Sequence, residues 1–342
     1  MPKGFKVGQP IYSSLVGFQW FLIIAALCIV YKNNPQKRRY ETVVLEICRK
    51  NGKTFIIAVL FILLFFLEPK YSYFYSVAPD GALSREIKKA IEEIIGFNTA
   101  VFDKKFKVRR DDILCLATRN DYVPLNYSNS RLDGRLPNVF LVDEAGALPN
   151  PYAIESMRSG QLTVVNKLGC IISTKYPTFD NPFEDEVAYC KKVLDKTVED
   201  ETVFSLLYEP DNTKNWMTDD TILLHGNPLA AEETLLMDDL YKKRKRAIIQ
   251  ESTRENFLCK HCNIIYQGAG TESFISVSEV RKCRTKKIDW NGQTVYVGVD
   301  LAMTNDNCAV SIVGYDFYTG KLLIDVVTFI PESRIDEKNQ FE

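Results

Sequence analysis

Two stretches of the chain are almost free of polar side chains. Residues 11–31 (IYSSLVGFQWFLIIAALCIVY) carry only Ser13, Ser14 and Gln19 as clearly polar positions, and residues 55–67 (FIIAVLFILLFFL) carry none. The first is long enough for a bilayer, which takes about 20 apolar residues; the second has the length of a buried core helix. Lys3 and Lys6 precede the first stretch, and Lys32, Lys37, Arg38 and Arg39 follow it, so charge gives no orientation. No small-residue cleavage site follows either, which argues against a signal peptide. Between the two stretches, Thr42 to Leu45 and Ile47 read as a buried parallel strand. Apolar runs at 139–142 and 168–172 read as further strands, 231–250 as a helix, and 294–299, 308–313 and 321–329 as a later group of strands.

Composition changes this picture little. The chain has 342 residues, enough for about two domains. It is 46% hydrophobic and 25% charged, which excludes a disordered chain. Its net charge of −1 excludes a polycation that coats nucleic acid by charge alone, so any DNA-binding surface is a local patch. The cysteines are odd in number and irregularly spaced, as expected of free thiols in a reducing compartment.

The segment joining the strand at 42–47 to the helix at 55–67 is Cys48-Arg49-Lys50-Asn51-Gly52-Lys53-Thr54. Strand, Gly-Lys-Thr loop and helix together are the setting of a P-loop. Gly52 lets backbone approach phosphate, and amides at the helix N-terminus face the anion. Lys53 supplies a charge for the β/γ-phosphates, and the Thr54 hydroxyl can ligate Mg²⁺. The usual first glycine is Ile47 here, and a basic turn before a core helix is the simpler explanation of the segment.

About 90 residues on, VFLVDE (139–144) has the form of a Walker B strand. Such a strand delivers carboxylates to the edge where α/β sheets bind ligands. Asp143 would hold Mg²⁺ and Glu144 would polarise the attacking water. Exposed acids ending a strand are the alternative. The run 168–177 ends in Ser173 and Thr174, whose hydroxyls can sense a γ-phosphate or merely close a turn.

Together these motifs resemble the large terminase subunit of tailed bacteriophages, the ATP-driven motor that packages viral DNA. Arg49-Lys50-Asn51-Gly52-Lys53-Thr54 is similar to that family's deviant P-loop, which lacks the first glycine. VFLVDEAG (139–146) resembles its Walker B segment, and IIST (171–174) its coupling motif. Gln19 resembles the glutamine that reads the adenine edge. GNP (226–228) and RENFLCKHCN (254–263) resemble segments that follow the ATPase core. The resemblance covers about residues 10 to 330. It implies a P-loop NTPase fold with a mostly parallel sheet flanked by helices. The expected division is an ATPase domain at 1–215, a helical linker at 216–290 and the opening of an RNase H-like nuclease at 291–342. It turns 11–31 into the glutamine-motif helix with its following strand, and 55–67 into the helix behind the P-loop, so no membrane insertion is expected. It further implies an arginine that neutralises transition-state charge, with Arg49 favoured over Arg131 or Arg135.

In the last part of the chain, Asp300 ends the strand 294–299 and matches the first metal-binding aspartate of the nuclease. A turn aspartate is the simpler account. Two-metal cleavage needs several carboxylates holding Mg²⁺ or Mn²⁺ about 4 Å apart. The family's remaining acids lie further along than residue 342, so the nuclease is expected to be incomplete and not to cut DNA alone. The implied partners are double-stranded DNA, a small terminase subunit, the portal protein of a procapsid and like subunits in a ring, in the host bacterial cytoplasm. The alternatives are an inactive prophage remnant or another translocase or helicase-type ATPase. Basic runs at 104–110, 242–246 and 281–287 could meet DNA phosphates or simply face solvent. Cys259, His261, Cys262 and Cys283 raise zinc, but only one CxxC pair is present.

Overall fold

The computed structural model describes residues 1, 6–127, 132–266, 282–285, 288–301 and 308–329. The chain divides into two units, residues 1–270 and 271–342. The first is built on an eight-stranded sheet. Its strands are β1 Thr42–Glu46, β2 Tyr73–Ala78, β3 Phe106–Val108, β4 Ile113–Cys115, β5 Asp121–Asn126, β6 Val139–Asp143, β7 Leu168–Ser173 and β8 Val203–Leu207. Their spatial order is β8-β1-β7-β6-β2-β5-β4-β3. The strands from β8 to β5 in that order are parallel, and β4 and β3 extend the sheet antiparallel.

Both faces are covered, so the central strands are buried along nearly their whole length and carry apolar runs rather than an alternating pattern. Val43, Leu45, Leu141, Cys170 and Ile172 pack on one face with helices α1 Gly17–Cys28, α2 Lys53–Leu67 and α3 Gly81–Phe97. Val44, Phe140, Val142 and Ile171 pack on the other with α4 Tyr152–Gly160 and α5 Pro182–Leu194. Helix α2 starts at Lys53, two residues earlier than its apolar run. Gly52 takes a left-handed φ of 80°, which turns the chain into the helix there. Ile56 to Ile62, Leu64 and Phe65 are buried on it, which explains a helix apolar on nearly all sides. Residues 11–31 form a short helix, α1 and a two-residue strand paired with Asn34–Arg38. Among the described residues no helix is long and apolar enough to cross a membrane.

A separate apolar cluster lies within 216–264. It gathers Trp216, Leu223, Leu240, Phe257, Leu258 and Cys262 around α6 Thr234–Ile249 and α7 Arg254–His261. Cys259 is buried beside it, with Sγ 3.7 Å from the Tyr266 carbonyl oxygen. Of the basic run 242–246, Arg244 is engaged with Asp220, while its neighbours in the run face solvent. The run 104–110 is exposed apart from Phe106, and 281–287 is described only at 282–285. In the second unit, β9 Val295–Asp300, β10 Cys308–Asp316 and β11 Lys321–Phe329 form an antiparallel sheet in that order. Asp300 ends β9 opposite Ala309 and is exposed.

Candidate nucleotide-binding site

The order β1-β7-β6 sets the site. The chain leaving β1 and the chain leaving β6 emerge at the same edge, on either side of β7, where open parallel sheets bind ligands. Residues 47–52 form the loop after β1. Lys50 (φ 73°) and Gly52 (φ 80°) are both left-handed, which curls the backbone around a concave centre. The first amides of α2 have no partner within the helix and point out of its N-terminus. A cavity of about 720 Å³ opens here, within the range of pockets that take drug-sized ligands. Gln19, Arg49, Gly52, Lys53, Thr54 and Glu144 are among its lining residues. Gln19 is packed so closely on the loop that a Cβ on Gly52 would lie 3.0 Å from its Nε2. Its Oε1 accepts from the Val16 amide at 3.2 Å, which fixes the side chain at the start of α1.

Lys53 Nζ lies 3.3 Å from Glu144 Oε1, an ion pair with both side chains largely out of solvent. Glu144 takes a left-handed φ of 51°, a conformation that costs a non-glycine residue energy and is found at functional sites. Burial opposes its ionisation, but the charges of Lys53, Lys260 and Arg49 outweigh that and hold its carboxyl below the usual range. Asp143, next to it, shows the reverse: burial pushes its carboxyl up to about 6, against the pull of Lys53. Its Oδ1 accepts from the Glu144 amide at 2.9 Å. Two adjacent carboxylates are thus driven apart in acidity by their surroundings. Asp143 and the Thr54 hydroxyl offer oxygen donors only, which suits a hard cation such as Mg²⁺.

Other expected residues are placed differently. Asn51 is fully buried, and its side chain is taken up by residues 227–229 and by the loop's own backbone and is not among those lining the cavity. Its Nδ2 donates to Asn227 Oδ1 at 2.9 Å and to the Cys48 carbonyl at 3.1 Å, and its Oδ1 accepts from the Leu229 amide at 3.1 Å. The Cys48 and Arg49 amides donate to the carbonyls of Gly226 and Lys260. Ser173 and Thr174 are also fully buried. Ser173 Oγ accepts from the Gly146 amide at 3.1 Å, which ties the end of β7 to the turn that follows Glu144. Thr174 Oγ1 accepts from Lys260 Nζ at 3.0 Å. Arg49 is exposed at the cavity, Arg135 lies over the Tyr75 ring at 5.4 Å, and Arg131 is outside the described residues.

Sequence reasoning did not single out Tyr176, Asn227 or Lys260. Tyr176 Oη donates to Glu144 Oε2 at 3.2 Å. Lys260 is buried, and burial outweighs the nearby Glu144 to bring its ammonium down to about 7. Asn227 and Lys260 lie in the GNP and RENFLCKHCN segments, so the signal was present there without a role attached. Behind the loop, Glu46 is fully buried and Lys175 Nζ lies 3.3 Å from its Oε2. Burial pushes the Glu46 carboxyl up to about 8, despite the opposing charge of Lys175.

The terminase large subunit, ATPase domain family model matches residues 19–192, and the terminase large subunit, endonuclease domain model matches residues 197–342. No curated protein sequence matches the chain. Among solved structures, the chain is similar to the HK97 bacteriophage large terminase, with 21% identity and a TM-score of 0.62 over 98% of this chain and 67% of that one. A large terminase from a thermophilic bacteriophage, in complex with ADP, aligns with 10% identity and a TM-score of 0.49 over 94% of this chain and 71% of that one. The Thermus phage P74-26 large terminase ATPase domain aligns with 15% identity and a TM-score of 0.44 over 66% of this chain and 89% of that one. The likeness to the HK97 large terminase is one of fold.

The raised carboxyl of Glu46 has a consequence for stability. The folded chain keeps this proton from the ordinary value of 4.5 up to about 8, while the unfolded chain gives it up. The folded state therefore binds more protons across that window. Its stabilising contribution is full below pH 4.5 and is lost as pH rises through about 8. In Glu46→Gln, urea unfolding followed from pH 4.5 to 8 should show a less negative slope of unfolding free energy against pH than the wild type. Parallel slopes would mean that Glu46 ionises normally.

Proposed function

The chain belongs to the terminase large subunit family, and from that premise we propose that it binds ATP on the loop 49–54 and couples its hydrolysis to the packaging of double-stranded viral DNA. The observation that carries this reading is the Lys53–Glu144 ion pair at the cavity between the ends of β1 and β6. In the resting site, each of these side chains neutralises the other. ATP phosphates offer Lys53 a stronger partner, so binding draws it away and frees the Glu144 carboxylate. Glu144 then orients water and accepts its proton. Thr54 and Asp143 would hold Mg²⁺, which neutralises charge on the phosphate oxygens. Gln19, whose side chain packs against Gly52 and accepts from the Val16 amide, is the proposed reader of the adenine edge. Arg49, exposed at the cavity, is our choice for the arginine that neutralises transition-state charge within the same subunit.

Lys50, Gly52 and the helix amides complete the phosphate cradle, and Asn51 holds it in shape from behind. Ser173 and Thr174 act as the coupling residues, because their hydroxyls tie the strand between the two loops to Gly146 and Lys260. We divide the chain into an ATPase domain at 1–215, a linker at 216–290 and a nuclease part from 291. The proposed partners are DNA, a small terminase subunit, the procapsid portal and copies of the chain in a ring, in the host bacterial cytoplasm.

For the nuclease part, Asp300 is the proposed metal-holding residue. Among the described residues no group of three or more His, Cys, Asp or Glu side chains could hold a metal ion. One carboxylate does not make a two-metal centre, so no cleavage step is assigned to the described residues.

ATP turnover by the purified chain should rise with double-stranded DNA, and Glu144→Gln should lower it by about 10²–10⁴-fold, the usual worth of a general base. Turnover unchanged in Glu144→Gln would contradict the assignment. Nicking of supercoiled plasmid in Mg²⁺ or Mn²⁺ should be lost in Asp300→Asn; nicking that persists in the variant would contradict the metal-holding role of Asp300.

A further inference from the structure

Glu144 is held from behind as well as from the cavity. Lys53 contacts Oε1, and the Tyr176 hydroxyl donates to Oε2 at 3.2 Å. Tyr176 is wedged in place. On one side the turn after Glu144 presses on it, since a Cβ on Gly146 would lie 2.6 Å from the tyrosine ring. On the other side Lys260 Nζ sits 2.8 Å from the ring centroid, in the geometry of a cation–π contact. The same ammonium donates to Thr174 Oγ1 at 3.0 Å and to the Lys175 carbonyl at 3.1 Å, so it also fixes the backbone that carries Tyr176. Lys260 belongs to α7, and its own carbonyl accepts from the Arg49 amide at 2.9 Å. Burial and the Glu144 charge keep the Tyr176 hydroxyl protonated well above the usual phenol range, so it stays a donor.

We propose that Tyr176 and Lys260 are positioning residues for Glu144, through which helix α7 sets the aim of that carboxylate. The proposal rests on the reading of Glu144 as the group that activates water. Once Lys53 has turned to phosphate, the Tyr176 hydroxyl is the contact that still orients Glu144. Its position is fixed by a lysine on the linker helix. A shift of α7 withdraws the ammonium from the ring and from the 174–175 backbone, and the carboxylate loses its direction. Hydrolysis is then confined to the state in which α7 is docked as it is here.

The test is steady-state ATP hydrolysis by the full chain, with ATPγS affinity measured alongside, in the wild type, Tyr176→Phe, Lys260→Met, Lys260→Arg and Glu144→Gln. Tyr176→Phe keeps the ring and removes only the donated hydrogen bond. Its kcat should fall about tenfold or more, the usual effect of losing a hydrogen bond to a charged group. KM and ATPγS affinity should stay within about twofold, the mark of an interaction that matters in the transition state only. Lys260→Met should behave like Tyr176→Phe, and Lys260→Arg should restore part of the rate, since a guanidinium can also stack on the ring and donate to Thr174. A Tyr176→Phe kcat within about twofold of the wild type, with Glu144→Gln inactive, would overturn the proposal. So would a loss of ATPγS affinity that matches the loss of rate. A wild-type chain that neither binds ATPγS nor hydrolyses ATP would overturn the ATPase reading itself, and this proposal with it.

Discussion

Lys53 and Glu144 are 91 positions apart in the chain, and their contact is the constraint on which the site depends. It exists because β1 and β6 are parallel and separated by a single strand. The register places Glu46, the last residue of β1, beside Ser173, and Asp143, the last of β6, beside Ile172. All three strands therefore end at one level. The loops that follow them face each other across one cavity. A partly buried charge pair of this kind is poor value for stability, because desolvation offsets much of the attraction. What the pair does in this structure is hold the two side chains against each other across the cavity.

The loop 47–52 does not keep its shape alone. Its amides at Cys48 and Arg49 donate to the carbonyls of Gly226 and Lys260, and Asn51 bonds Asn227 and Leu229. Asn227 in turn donates to the carbonyls of Leu223 and His261. The loop is thus built from its own residues and from the segment 216–264 together. In a low-dielectric setting such a network is costly to break at any one point. The geometry of the loop therefore depends on where that segment sits.

Much of the fold was legible in the chain. Continuous apolar strands bounded by a Gly-Lys-Thr loop and an Asp-Glu pair specify a parallel sheet with a ligand edge, because only a two-sided sheet hides such strands. The apolar stretch 11–31 was ambiguous between membrane and core until the Gly-Lys-Thr loop that follows it in the chain was considered. The candidate site was legible where position at a helix start or a strand end decides it, as for Lys53 and Thr54 at the start of α2 and Asp143 and Glu144 at the end of β6. It was less legible where the direction of a side chain decides. Asn51 sits in the phosphate-loop string but turns inward to Asn227. Lys260 meets Thr174 across 86 positions, and neither spacing nor composition announces such a pair. The strand ending in Asp300 was legible as well, but a single carboxylate says little about the other members of a metal centre.

The central claim is that Lys53 exchanges Glu144 for the phosphates of ATP. Calorimetric titration of Mg²⁺ and ATPγS into the wild type and into Lys53→Ala tests it most directly. The account predicts saturable binding of one nucleotide per chain in the wild type and its loss in Lys53→Ala. Equal binding by both chains, or none by the wild type, would contradict it.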